Sequence, residues 1–196
     1  MNKKLDIYEQ VARLHIASLD QGFLSTLGSG FLTELYRSID QCPQAVLIVK
    51  CQQGEVIGFV TGLTGPMSLI YRRMLLRFPL WAWRLLPILF SPKRLGRLIE
   101  ILRYVKSNND QSNLPISELL SIALTPNSRG KGFADAMYGD LIKHFREMEV
   151  ELFKIVVGDS LTPAHKFYQR MGAKIVAETE IHHGARSVIY IQVVGS

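Results

Sequence analysis

The sequence predicts an α/β fold: a mixed sheet flanked by helices, with one helical insertion. Three observations carry this. The first is the order of elements, with two helices, a hairpin, a strand, a helix, a strand, a helix and two closing strands. The second is a sharply marked joint at residues 119–134, an apolar strand followed by a Gly-rich basic turn and the first turn of a helix. The third is charge. The chain of 196 residues carries a net +6, yet residues 66–106 hold nine basic side chains against Glu100 alone. That segment is +8 and the remainder −2, so the basic character belongs to one insertion and not to the whole surface. With 47% hydrophobic residues, the chain can bury one good core and is read as a single domain, 1–196.

The two N-terminal helices are expected at about 5–19 and 30–39. Leu5, Tyr8, Val11, Ala12, Ile16 and Leu19 recur at helical spacing and give the first its apolar face. Apolar runs at 45–51 and 55–63 surround Gln52-Gln53-Gly54, a hairpin signal. A strand at 116–124 leads into the basic turn. Beyond it Phe133, Ala134, Met137, Leu141, Ile142, Phe145 and Met148 mark an amphipathic helix to about 148. Residues 152–157 read as a buried strand. Pro163 suits the first turn of a helix that Gly172 ends. Strands at 174–181 and 187–194 close the chain around His182-His183-Gly184. No internal repeat or low-complexity tract is visible.

The insertion, about 65–113, is the least ordinary part. Its apolar stretch at 80–90 is too short, and too interrupted by Arg84 and Pro87, to span a bilayer. Trp81, Trp83 and the flanking arginines suit a helix lying on a membrane surface; packing on the domain or on a second subunit is the plain alternative. No recognised nucleic-acid module accompanies the basic stretch, so no nucleic acid is expected as a partner. Cys42 and Cys51 have neither metal spacing nor a framework of pairs, and the first residues lack the apolar core of a signal peptide. A cytoplasmic location follows as an expectation, with peripheral membrane contact or a homodimer through the insertion.

The chemistry concentrates at the basic turn. A helix start presents unpaired N–H groups and the positive end of the macrodipole. Gly130 and Gly132 let a ligand approach that backbone, and Arg129 and Lys131 add charge, which suits a phosphate or pyrophosphate. A solvated turn capping a core helix is the competing reading. Lys131 precedes Gly132 and not Ser or Thr, so this is no Walker loop, and no G-x-G-x-x-G occurs. His182 and His183 are adjacent, so on a strand they point to opposite faces and cannot share one metal. Gly28-Ser29-Gly30 lacks the nucleophile-elbow spacing. Neither metal nor nucleophilic catalysis is expected.

Two spacings point further. Arg129-x-x-Gly132-x-Ala134, with Leu124-x-Pro126 upstream, resembles motif A of the GNAT superfamily of acyl-CoA-dependent N-acyltransferases. Ala164, Tyr168 and Gly172 are similar to an Ala-Tyr-Gly spacing that the family commonly shows on a later helix. The resemblance covers about 5–64 and 114–194 and is strongest at 116–173. It implies a GNAT fold, a mixed, mostly antiparallel sheet splayed between strands 4 and 5 in the family's count, with the insertion between strands 3 and 4. It implies acetyl-CoA as co-substrate in the opening, without a metal. Backbone groups of Ile122, Ala123 and Leu124 would pair with pantetheine as an added strand, and Arg129, Gly130, Lys131, Gly132, Phe133 and Ala134 would hold the pyrophosphate.

The resemblance also implies roles. Tyr168 would protonate the departing thiolate, a task a phenol suits because it stays protonated near neutral pH. Glu118, counting back from Arg129, matches the strand position where the histone acetyltransferase branch keeps a glutamate base. The ribosomal-protein branch uses the following strand, where this chain has Val156; Asp159, His182 and His183 are further candidates. Two departures stand out: Leu161 where many members carry Asn, and Gly172-Ala173 where Gly followed by an aromatic is more usual. The implied reaction is acetyl transfer to a primary amine of a small molecule such as an amino sugar. A protein N-terminus or lysine is the alternative acceptor, and a non-catalytic membrane- or partner-docking protein on the same fold is the alternative of another class.

Overall fold

The computed structural model describes residues 6–19, 23–76, 114–182 and 185–195. Helices α1 (Ile7–Ser18) and α2 (Ser29–Asp40) flank a short 3-10 turn, Phe23–Leu27. They precede β1 (Ala45–Gln52), β2 (Glu55–Leu63) and α3 (Ser68–Leu76). After the insertion come β3 (Glu118–Leu124), α4 (Phe133–Glu147), β4 (Leu152–Gly158), α5 (Thr162–Arg170), β5 (Lys174–His182) and β6 (Ala185–Val193). The six strands form one mixed sheet in the order β1-β2-β3-β4-β6-β5. Among the described strands, only β3 and β4 pair in parallel; the other neighbours are antiparallel. No strand precedes α1 among the described residues. The family's strands 4 and 5 are therefore β3 and β4 here, and the insertion lies between β2 and β3.

The sheet is buried on both faces, which is why β2 reads as a continuous apolar run and not as an alternation. Phe59 faces the core under α1, α2 and α3, with Val11, Leu32, Leu63 and Ile70. Its neighbour Val60 faces the other core under α4 and α5, with Met137, Leu141, Phe145, Phe153 and Tyr190. Both Phe59 and Val60 are fully inaccessible, so truncating either removes contacts that nothing nearby can replace. Helix α4 lies close on β2. A Cβ placed at Gly62 would stand 2.6 Å from Leu141 Cδ1 and 2.7 Å from Phe145 Cζ, so glycine there sets the separation of helix and sheet.

Some boundaries differ from expectation. Strand β3 starts at Glu118 and not at 116, because β2 ends at Leu63, the partner of Glu118; Ile116 is left exposed. Met148 caps α4 and is exposed, while Tyr138 is fully buried beside Met137. The buried face of α1 includes Leu14 and His15 as well as Val11 and Ala12. At the start of the insertion, Ile70 and Met74 of α3 enter the first core, so this part packs on the domain. The aromatic stretch at 80–90 and the remaining basic residues of the insertion lie outside the described residues. No helix among the described residues is long and apolar enough to cross a membrane.

Candidate active site

Strands β3 and β4 begin side by side and then part. Their register consists of Glu118 with Lys154 and Leu119 with Ile155, reinforced by the Lys154 amide donating to Ser117 O at 2.9 Å. Pairing between β4 and β6, by contrast, runs the whole length from Leu152 to Gly158. At the same level β3 carries a bulge. Thr61 of β2 opposes Ser121 and Gly62 opposes Leu119, which leaves Leu120 unpaired. A bulge bends its strand and adds twist, turning β3 away from β4 toward its C-terminal end. The result is a wedge whose vertex is at Leu119 and Ile155 and whose mouth is at Leu124.

The wedge leaves part of β3's backbone unpaired. The Thr125 amide donates to Ile57 O at 2.9 Å, so in an antiparallel ladder Thr125 and Ala123 face β2 and the alternate residues face away from it. Ile122 and Leu124 therefore present their N–H and C=O to the opening. Of the three residues expected to pair with pantetheine, Ala123 is committed to β2. Leu124 O also accepts long hydrogen bonds, at 3.4 Å each, from Ser18 Oγ and Arg129 Nε.

At the mouth, Pro126–Ser128 makes a 3-10 turn, tied by Thr125 Oγ1 donating to Ser128 Oγ at 2.8 Å. The chain then turns through Gly130 (φ +72°) and Gly132 (φ +78°), both left-handed, into α4. A Cβ at either glycine would meet nothing within 4 Å, so the backbone here lies open. The glycines are needed for their conformation, and the open space above them is where an anion can approach. Among the described residues, the amides of Gly130, Lys131, Gly132, Phe133 and Ala134 donate to no carbonyl. The Arg129 amide does not join them, because it donates to Pro126 O at 3.3 Å. Five unpaired amides at the start of a 15-residue helix suit a pyrophosphate, which fits the turn to the phosphate end of acetyl-CoA.

Tyr168 lies on α5 in the second core, 5% exposed, with ring centroids 6.0 Å from Tyr138 and 6.1 Å from Tyr190. Burial alone pushes its hydroxyl well above the ordinary tyrosine range, so the proton stays on at any working pH. That hydroxyl makes no hydrogen bond to another described residue. Glu118 stands at the vertex. Its side chain keeps 28% exposure, yet its surroundings are dry enough that desolvation raises the carboxyl above the usual range. Lys154 Nζ, 3.7 Å away across the parallel pair, works in the opposite direction. Burial raises the pKa of the Tyr71 hydroxyl on α3, and the charge of Glu118 raises it further.

The remaining candidates are less well placed. Asp159 is in the turn after β4, its amide donating to Arg186 O at 3.0 Å. Val156 sits half-buried on β4. Leu161 occupies the N-cap of α5 and supplies no side-chain cap. His183, and the side chain of His182, lie outside the described residues. No cluster of His, Cys, Asp or Glu able to hold a metal occurs among the described residues.

Comparison with known proteins decides the family. The model of the Acetyltransferase (GNAT) family matches residues 16–173. The chain belongs to the GNAT acetyltransferases. These enzymes use acetyl-CoA, and the wedge and turn described above are the parts that would receive it. Solved structures share the GNAT fold. The structure of SsHAT is 18% identical, covers 100% of this chain and 98% of its own, and has a TM-score of 0.71. An aminoglycoside 6'-N-acetyltransferase complexed with coenzyme A is 10% identical over 100% and 96%, TM-score 0.60. Ard1 from Thermoplasma volcanium is 14% identical over 99% and 97%, TM-score 0.60. No curated protein matches the sequence.

Several residues of this GNAT chain were not foreseen as part of the site. Lys50 of β1 holds its ammonium 5.8 Å from the Phe133 ring centroid, bringing a further cation to the start of α4. Arg170 of α5 makes a two-pronged bridge to Asp135 in the first turn of α4, at 2.8 and 2.7 Å, which offsets a carboxylate close to the anion turn. Two polar pairs lie near the bulge. His15 Nδ1 is 2.5 Å from the Tyr36 hydroxyl, and Ser121 Oγ is 2.8 Å from Thr61 Oγ1. None of these pairs is close in sequence.

Proposed function

We propose that the chain transfers the acetyl group of acetyl-CoA directly to a primary amine of a small molecule, an amino sugar being the first class to test. The observation that carries this is the wedge, with β3 backbone turned away from β2 along one wall and five unpaired amides at its mouth. Pantetheine would lie along Ile122 and Leu124 as an added strand, with its phosphates on the amides of 130–134. The neutral amine attacks the thioester carbon, the C–N bond forms and the C–S bond breaks. Glu118 takes the amine's proton, directly or through water, and Tyr168 gives its own to the departing sulfur. A carboxyl whose pKa is raised by burial suits a base working nearer neutrality.

Similarity to an aminoglycoside acetyltransferase supports a small-molecule acceptor. Similarity to Ard1 and, at 11% identity and TM-score 0.54, to the ribosomal-protein-S18-alanine N-acetyltransferase of Escherichia coli supports a second reading, a protein N-terminus. The two free thiols, Cys42 and Cys51, suit a reducing cytoplasm. Thiol release from acetyl-CoA, screened against amino sugars, polyamines and peptides, separates the readings. Release with amino sugars alone is the expected result, and release with peptides alone favours the second. Calorimetry with acetyl-CoA tests the donor independently. A Gly132→Glu variant that binds as tightly as the parent would remove the anion turn from the reading.

A further inference from the structure

We propose that His165 is a positioning residue: it fixes α5, and with it the Tyr168 hydroxyl, against the wall of the wedge. The inference rests on the reading of Tyr168 as the acid. His165 lies three residues before Tyr168, so the two share a face of α5. Its Nε2 is 3.1 Å from Gly158 O and its Nδ1 is 2.7 Å from the Tyr190 hydroxyl. A carbonyl can only accept, so Nε2 carries the hydrogen and donates to Gly158 O. In the neutral ring Nδ1 then accepts from the Tyr190 hydroxyl. One imidazole thus fastens α5 both to the last residue of β4 and to β6.

Both anchors belong to the wedge. Gly158 ends the strand that forms one wall, beyond the point where β3 has parted from it. Tyr190 is fully buried, pairs in register with Ile155 at the vertex, and packs its ring beside Tyr168. Helix α5 needs such fastening. It has nine residues, too few to be stable alone, and its N-cap is Leu161, which makes no side-chain cap. At its other end the Arg170–Asp135 bridge is largely exposed and so weak. The half-buried His165 therefore does the work a capping side chain would do elsewhere, one turn inside the helix. A hydroxyl that must meet a sulfur within hydrogen-bond reach loses rate steeply when its helix shifts by even an ångström.

The test is a mutant cycle read by thiol release from acetyl-CoA, with the best acceptor of the amine screen or, where none is found, with water. His165→Ala should lower kcat about tenfold with KM for acetyl-CoA within about twofold. His165→Gln, whose Nε2 can still donate to Gly158 O, should recover much of the loss, and Tyr190→Phe should show a smaller loss of the same kind. In a Tyr168→Phe background, His165→Ala should cost less than about twofold, because the hydroxyl it positions is gone. An undiminished effect in that background would overturn the positioning role alone. A Tyr168→Phe enzyme with unchanged turnover would overturn the acid reading and the positioning role with it. Should His165→Ala fold poorly, Tyr190→Phe carries the same cycle in its place.

Discussion

Acid should loosen the first core through one residue, His15. Its side chain is 3% exposed, and burial lowers its pKa from the ordinary 6.5 to about 4. Its Nε2 is buried without a partner. An orphaned N–H costs more than an orphaned lone pair, so the hydrogen belongs on Nδ1, donating to the Tyr36 hydroxyl. Protonation would place a second N–H, and a charge, where nothing accepts them. In the unfolded chain the same ring titrates normally. Between pH 6.5 and 4 the unfolded state therefore binds more protons, and stability falls as pH falls through that window. It is fully present above the unfolded pKa and is lost by about pH 4.

The size follows from the shift. The whole window is worth about 3 kcal/mol, of which about 2 kcal/mol is lost between pH 7 and pH 5. For a chain of this length the urea dependence is about 2 kcal/mol per molar, so the midpoint should move down by about 1 M. The assay is urea unfolding at the two pH values for the parent chain and for His15→Leu. The leucine variant starts less stable, since Tyr36 loses its partner, but its midpoint should shift much less with pH. Other titrating groups contribute equally to both chains. Equal shifts in the two would refute the reasoning, because the pH dependence would then come from elsewhere.

Three further outcomes are expected. Lys154→Met removes the charge that opposes burial at Glu118, so the carboxyl pKa rises further. If Glu118 is the base, the acid limb of the kcat/KM profile should move to higher pH, and an unmoved limb would exclude it. Gly62→Val drives two methyls toward Leu141 and Phe145, both fully buried, and should cost about 1–3 kcal/mol in urea unfolding without changing acetyl-CoA affinity. Arg170→Ala breaks an exposed bridge and should leave the urea midpoint nearly unchanged; a clear fall would mean the bridge, and not His165, holds α5.

What was legible in the sequence was what repeats or what is spent locally. The period of Met137, Leu141 and Phe145 gives the buried face of α4 directly. The turn at 129–134 could be read because positive φ demands glycine at Gly130 and Gly132, whatever surrounds them. The wedge could not be read from composition. Leu120 and Ile122, beside the opening, are as apolar as residues in paired strands, and only the register of Leu119 with Ile155 shows where pairing stops. Polar groups satisfied across the fold were equally hidden. Nothing in α1 itself singles out His15, because its partner Tyr36 lies 21 residues away on another helix. His165 and Tyr190 are separated by 25. Glu118 and Tyr168 were found through a family resemblance, since nothing local marks either as dry.

The geometry also separates the donor's two ends. From Glu118 to Leu124 the strand rises about 20 Å, with the anion turn just beyond its C-terminal end and the dry carboxyl at its start. On the proposed reading, phosphate binding and amine chemistry fall at opposite ends of one strand, and a change at one need not disturb the other. The insertion enters at the second of these ends. Tyr71, from its first helix, is close enough to feel the charge of Glu118, while Ile70 and Met74 on the same helix lock that helix into the core. Variation in the insertion should therefore alter KM for the amine and leave acetyl-CoA affinity untouched. Tyr71→Ala is the variant that shows it: a changed affinity for acetyl-CoA with an unchanged KM for the amine would place the insertion at the wrong end of the wedge.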